Sequence, residues 1–178
     1  MCKDNAINEV YEPIGEVNEY GTVDTIVLKE GRLEVGLPHQ TALIRALKKQ
    51  HLPDTDIAIF DAPPGTSCPV VNTLEGSDYT IIVAEPSPFG LNDLKLMVEV
   101  IRDIGIPFDV VINKSGDNDA AMEKYLHQEK IDIIARIPLN REIATAYANA
   151  SIEQIASHKS MQKHLKHIWK TIKQKTLV

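Results

Sequence analysis

DIAIFDAPPGTSCP, from Asp56 to Pro69, is the stretch of this chain that decides its fold. Its apolar run, residues 57–60, predicts a strand that is buried on both faces of a parallel sheet. Asp61 would then lie at the carboxyl end of that strand. Ligands of open α/β sheets bind at this end, and a carboxylate there can reach a water molecule on Mg²⁺. The alternative, which the stretch leaves open, is that Asp61 only satisfies backbone donors at the end of the strand.

The turn after Asp61 has the composition of a loop that contacts phosphate. The two prolines at 63–64 stiffen it, and Gly65 lets a backbone N–H approach a γ-phosphate without a Cβ in the way. Thr66 or Ser67 can cap the helix that Pro69 opens.

A complete nucleotide site also needs a loop of the form G-x-x-x-x-G-K-[ST], because backbone amides and a lysine must cradle the phosphates. Among the nine glycines only Gly31 and Gly36 have this spacing, and Leu37-Pro38 follows them where Lys-Ser/Thr is required. The sequence contains no such loop. We therefore do not expect this chain to hydrolyse ATP by itself.

Composition predicts one main globular domain with a small appendage, since 178 residues with 43% hydrophobic content can bury a core. No apolar run approaches the roughly 20 residues that a membrane helix needs. Cys2 and Cys68 alone do not make a disulfide framework, which is typical of a reducing compartment. We expect a cytoplasmic protein with no nucleic-acid partner.

The charge is unevenly distributed along the chain. The net charge is −6, yet six lysines and no acid lie between His158 and Val178. A basic amphipathic helix is predicted over residues 159–174. It can lie on an anionic membrane or, as we favour, pack its apolar stripe on the sheet. The stripe consists of Met161, Leu165, Ile168, Trp169 and Ile172.

The order of predicted elements indicates an α/β fold. Residues 25–28 and 32–35 flank Glu30-Gly31 and predict a β-hairpin. Beyond Pro38 helices and strands alternate, which predicts a parallel sheet with helices on both faces. The predicted helices are 40–49, 91–104, 120–129 and 141–148, and the predicted strands after the Asp56 strand are 79–84, 108–112 and 131–137.

Residues 61–114 closely resemble the MinD/ParA-like P-loop ATPases that carry an inserted ferredoxin domain. IPLNREIATAYANA, residues 137–150, extends the match, and residues 33–49 resemble the segment that leads from the insert back into the ATPase sheet. CKDNAI, beginning at Cys2, is similar to the end of the ferredoxin motif C-P-x-x-A-I, with Lys3 where proline is usual.

The resemblance implies a domain organisation. Residues 1–38 would be the tail end of the ferredoxin-like insert, with a small hairpin remnant, and residues 39–178 the carboxyl-terminal part of the nucleotide-binding domain. The expected fold is a three-layer, P-loop NTPase-like α/β sandwich that is incomplete at its amino-terminal side. We expect the chain to be a carboxyl-terminal fragment, the alternative being a genuine stand-alone protein.

The resemblance also implies roles for single residues. Asp61 resembles the Walker B carboxylate that holds Mg²⁺ through water, and Gly65 lies in the turn that senses the γ-phosphate. Asn113 resembles the residue that contacts adenine, and an amide can both donate to and accept from a base edge. Pro138 and Leu139 resemble the loop that closes over the base.

Cofactors and partners follow from the same resemblance. The complete protein would bind ATP and Mg²⁺ as a homodimer or with a sister ATPase subunit, with residues 85–90 near the nucleotide and that partner. Its complete ferredoxin insert would hold a [4Fe–4S] cluster and act on an iron–sulfur or redox partner protein. A cluster takes four ligands, so Cys2 alone is expected to be a free thiol. The alternatives are a non-catalytic module that docks to a separate subunit, and a membrane-associated scaffold acting through residues 159–174.

Three further features have competing interpretations. Cys68 lies near a helix start, which lowers a thiol pKa, but no histidine is near it in sequence, so packing is expected rather than catalysis. His164 and His167 could share a metal ion, although the surrounding lysines oppose a cation. The segment after Asn113 resembles a guanine-reading N-K-x-D, but Gly116 stands at the aspartate position, which favours adenine.

Overall fold

The computed structural model describes residues 13–23, 26–50 and 57–176. They fall into two compact units, residues 1–73 and residues 74–178. The domain boundary predicted between residues 38 and 39 stays a prediction. Among the described residues, no helix is both long and apolar enough to cross a lipid bilayer.

The first unit begins with an antiparallel hairpin of β1 (Gly15–Val23) and β2 (Ile26–Leu33). A hairpin is present as predicted, but its predicted strands and turn are wrong, because residues 26–28 and 32–33, which were assigned to its two strands, both lie in β2. The chain reverses between Val23 and Ile26, and Gly31 lies inside β2. A Cβ on Gly31 would lie 3.2 Å from Cγ of Leu43, so this glycine allows a helix to pack closely on the strand and does not form a turn.

Two helices complete the described part of the first unit, α1 (Gln40–Lys49) and α2 (Cys68–Leu74). The structure confirms the predicted bounds of α1. Arg45 of this helix donates from Nε to Oδ1 of Asn72 at 2.7 Å. Lys48 donates from Nζ to the carbonyl oxygens of Asn72 and Thr73, each at 3.0 Å. A lysine at this position satisfies carbonyls that the last turn of α2 leaves unpaired.

The strand predicted at residues 57–60 is wrong. These residues have no regular structure and join neither sheet of the described chain. Their side chains are exposed, and Ile59 retains 84% of its accessible surface. A strand is held by hydrogen bonds to a neighbouring strand and by burial of its side chains. An apolar run supplies only the side chains, and here neither condition is met.

The second unit is built on a parallel sheet in the order β3-β4-β5, which confirms the predicted α/β class. Its strands are β3 (Thr80–Ala84), β4 (Phe108–Ser115) and β5 (Ile133–Pro138). Its helices are α3 (Pro88–Ile104), α4 (Ala120–Gln128), α5 (Arg141–Ala148), α6 (Ile152–Ser157) and α7 (Lys159–Thr176). The sequence analysis predicted each of these elements except α6, with end points that differ by up to three residues.

The core of the second unit lies against the sheet. Val110 and Ile112 are fully buried and point to one face of β4, because side chains alternate along a strand. Right-handed crossovers between consecutive neighbouring strands place α3 and α4 on the same face. Val111 points to the opposite face and forms a buried cluster with Ala135. Ile168 of α7 packs against this cluster. The apolar stripe of α7 therefore packs on the sheet at Ile168, as predicted.

Candidate functional site

The carboxyl ends of β3, β4 and β5 meet at one edge of the sheet, which we call the carboxyl edge (residues 84–90, 113–119 and 137–141). Parallel pairing brings Asn113 beside Ile137 and Ser115 beside Pro138. The amide N–H of Leu139 donates to the carbonyl of Ser115 at 3.2 Å. The structure thus brings together Asn113, Pro138 and Leu139, the three residues predicted to contact the base.

The exposure of these three residues suits contact with a ligand. Asn113 is half-buried, whereas Pro138 and Leu139 are exposed, Leu139 retaining 68% of its accessible surface. A half-buried amide beside exposed apolar groups can combine hydrogen bonding with apolar contact.

An ion pair joins two loops of the carboxyl edge. Lys114 follows Asn113 in a left-handed conformation with φ of 53°. Its Nζ lies 2.8 Å from Oε2 of Glu85, which follows β3. Because both side chains are about half exposed, the pair contributes little stability. It links the end of β4 to the residue that follows β3.

A hydrogen-bonded turn shapes the loop between β4 and α4. The buried carboxylate of Asp119 accepts a hydrogen bond from Oγ of Ser115 at 2.5 Å and another from the amide of Gly116 at 2.9 Å. This role of Asp119 was not predicted from the sequence. Both oxygens are engaged within the loop.

The loop between β3 and α3 depends on Gly90. Oγ of Ser87 caps α3 by accepting a hydrogen bond from the amide of Gly90 at 3.0 Å, and Pro88 is the first helical residue. A Cβ on Gly90 would lie 2.1 Å from the carbonyl oxygen of Glu85. Phe89 projects from this turn with 85% of its surface exposed.

Asp61 and Gly65 belong to the first unit, whereas Asn113, Pro138 and Leu139 belong to the second. Asp61 is exposed, and Gly65 adopts φ of +93° with no atom within 4 Å of a built Cβ. Its backbone conformation, and not crowding, therefore requires glycine. The turn leads directly into α2, whose first residue, Cys68, is an exposed free thiol.

Cys2, which resembles a cluster ligand of the ferredoxin motif but is expected to be a free thiol in this chain, lies outside the described residues. Within residues 13–23, 26–50 and 57–176, no group of three or more His, Cys, Asp or Glu side chains could hold a metal ion. His164 and His167, the candidate metal pair, both line a cavity between α7 and β5.

A second polar cluster lies near the amino ends of the strands, away from the carboxyl edge. The buried carboxylate of Asp109 accepts hydrogen bonds from the hydroxyl of Tyr79 and from Nζ of Lys175. Nζ of Lys175 also lies 3.1 Å from Oδ2 of Asp132.

Burial and the hydrogen bond to Asp109 raise the pKa of the Tyr79 phenol well above its ordinary value. Burial opposes the charge of Lys175, but its hydrogen bonds to Asp109 and Asp132 outweigh that effect and raise its pKa. Sequence reasoning did not identify this cluster.

The chain is similar to two proteins of Methanocaldococcus jannaschii. It is 27% identical to "Uncharacterized protein MJ0579" over 167 residues, which cover 93% of this chain and 55% of that protein. It is 25% identical to "Uncharacterized protein MJ0578" over 145 residues, which cover 81% of this chain and 50% of that protein. The chain thus spans about half the length of these curated relatives. No family model matches it.

Proposed function

We propose that this chain is the carboxyl-terminal part of an ATP-binding MinD/ParA-type protein that carries a ferredoxin insert. The observation that carries the proposal is the convergence of Asn113, Pro138 and Leu139 at the carboxyl edge. Parallel α/β sheets bind their ligands at this edge. In the complete protein, ATP and Mg²⁺ would hold a dimer, and hydrolysis would drive a cycle coupled to iron–sulfur or electron-transfer chemistry.

The base would lie against Leu139 and Pro138, while the amide of Asn113 donates to and accepts from its edge. The hydrogen bond between Leu139 and Ser115 supports this arrangement, because it ties the loop that would contact the base to the end of the strand that carries Asn113.

Asp61 would hold Mg²⁺ through water, and Gly65 would lie in the turn that senses the γ-phosphate. An exposed carboxylate can accept hydrogen bonds from the water molecules that Mg²⁺ retains. The positive φ of Gly65 supports the assigned turn, since a glycine in this conformation turns the backbone in a way that other residues rarely adopt. The metal neutralises charge on the phosphates when it is bound.

The sequence after Asn113 favours adenine over guanine. A guanine-reading N-K-x-D places a carboxylate three residues after its asparagine, and Gly116, which stands at that position, offers no side chain.

The test uses the polypeptide isolated intact from its source cells, whose mass is first set against the 19.8 kDa of this chain. We expect Mg-ATP to bind and to raise the melting temperature, because a ligand that binds only the native state stabilises it. Mg-GTP should bind about tenfold or more weakly, which corresponds to about 1.4 kcal/mol.

Asn113→Ala should weaken ATP binding. Asn118→Ala should not, because Asn118 is an exposed asparagine of the loop that follows β4. Equal stabilisation by ATP and GTP would contradict the proposal, as would the absence of stabilisation by either. If the mass is 19.8 kDa and neither nucleotide binds, the next experiment is a search for a separate subunit to which this protein binds.

A further inference from the structure

A basic cavity lies between β5, an outer strand of the described sheet, and α7, away from the carboxyl edge. Its volume is about 330 Å³, within the range of small-ligand sites. Residues 133–135 of β5 form an apolar side. The other lining residues are Arg136, Lys163, His164 and His167, all of them basic.

The basic side chains that line this cavity have no acidic side chain among them. Helix α7 carries six lysines and no acid. The side chain of Arg136 points to the other face of the sheet, because Arg136 lies beside Ile112. Its Nε lies 2.7 Å from Oε1 of Glu123 on α4, and both residues line a separate groove on the α4 side of β5. The side-chain donors of the cavity are therefore Lys163, His164 and His167 of α7.

We propose that this cavity binds the phosphate group of a small soluble ligand. Phosphate offers several acceptor oxygens, which match the donors of an ammonium and two imidazoles. The apolar side formed by residues 133–135 would contact the rest of a phosphorylated molecule.

A metal ion is the wrong ligand for the same cavity. Two imidazoles could contribute nitrogen ligands, but Lys163 lines the cavity beside them and repels a cation. A membrane surface fits less well than a small ligand, because α7 packs on the sheet through Ile168 and is tied to it by Lys175.

The decisive experiment titrates the protein with inorganic phosphate and with pyrophosphate, followed by ³¹P NMR and calorimetry at constant ionic strength set with chloride. We expect saturable binding with a dissociation constant of about 1 mM or tighter. The double variant Lys163→Gln/His167→Gln should lose about tenfold or more in affinity, equivalent to about 1.4 kcal/mol.

The matched control is Lys166→Gln/Lys170→Gln, which removes two charges from the same helix at positions that do not line the cavity. Its affinity should stay within about twofold of the native protein, a change of less than 0.5 kcal/mol. An equal loss in both double variants would mean that phosphate responds only to the general charge of α7, and would overturn the proposal. If the first double variant does not fold, Lys163→Gln alone makes the same comparison, because Lys163 is exposed and lines the cavity.

A lipid headgroup is the other source of a phosphate group. The protein is therefore also sedimented with phosphatidylcholine vesicles that contain phosphatidic acid, and with pure phosphatidylcholine vesicles. We expect no co-sedimentation with either. Binding to the acidic vesicles without binding of soluble phosphate would overturn the proposal, as would the absence of binding in every arm. Because this cavity shares no residue with the proposed nucleotide site, each can fail without the other.

Discussion

Nζ of Lys175, in the last turn of α7, donates a hydrogen bond to the buried carboxylate of Asp109 on β4, 66 residues earlier in the chain. Together with the contact of Ile168, this bond fixes the basic helix on the sheet. The helix carries Trp169 and Leu165 partly exposed, so only part of its apolar stripe is covered.

Lys175→Met should destabilise the protein, because it removes one partner of a buried carboxylate. We expect a loss of about 1–3 kcal/mol in the free energy of unfolding, the usual cost of such a group. Urea denaturation followed by circular dichroism measures it. Lys170→Met, at an exposed position of the same helix, is the control and should change stability by less than about 0.5 kcal/mol. Equal midpoints for the two variants would show that the bond to Asp109 contributes nothing.

The raised pKa of Tyr79 predicts an alkaline loss of stability. The folded protein holds the phenolic proton more tightly than the unfolded chain, whose tyrosines titrate near pH 10. Stability from this difference is complete below about pH 10 and falls as the pH rises above it, since the unfolded state then binds fewer protons. Tyr79→Phe should flatten this decline in urea midpoints measured between about pH 9 and 11. Tyr147→Phe, at an exposed position of α5, should keep the native slope, and an unchanged slope in Tyr79→Phe would refute the assignment.

Gly90→Ala should destabilise the loop between β3 and α3. The added Cβ would lie 2.1 Å from the carbonyl oxygen of Glu85, so the backbone must shift. Overpacking of this kind typically costs about 1–3 kcal/mol. Gly116→Ala makes the matched comparison, because a Cβ there meets no atom within 4 Å. If thermal unfolding gives the same melting temperature for both variants, the close approach at Gly90 is not a constraint on the loop.

Leu139→Gln should weaken ATP binding without loss of stability. Leu139 is largely exposed, so its removal leaves no cavity, but the proposed apolar wall for the base is lost. We expect affinity to fall about fivefold, or about 1 kcal/mol, which calorimetry would resolve. Leu165→Gln, a partly exposed leucine of α7, should bind ATP as the native protein does. A native affinity in Leu139→Gln would remove this residue from the site.

The spacing of apolar residues along the sequence predicted the elements whose buried faces follow that spacing. The bounds of α1 and α5 agree with the sequence analysis because their apolar spacing, and for α5 the Asn140 cap, specify both helix type and ends. The strand at residues 57–60 failed, because an apolar run does not reveal whether a neighbouring strand is present. Glu30-Gly31 failed as a turn, because the sequence does not show that Leu43 packs over that glycine.

The roles of Asn113, Pro138 and Leu139 were predicted from the family resemblance. Chain order explains why they lie together, because they end neighbouring strands and a parallel sheet places those ends at one edge. The bond between Lys175 and Asp109 depends on how the last helix crosses the sheet, which no local spacing encodes. The same holds for the cavity between β5 and α7.

The most direct test of the central claim is photoaffinity labelling of the intact native polypeptide with an azido-adenine analogue of ATP, followed by mapping of the labelled peptides. The account predicts labelled peptides that contain Asn113 or the Pro138-Leu139 loop, and loss of label when excess ATP, but not GTP, is added. Specific labelling confined to other segments, or no labelling that ATP can displace, would contradict it.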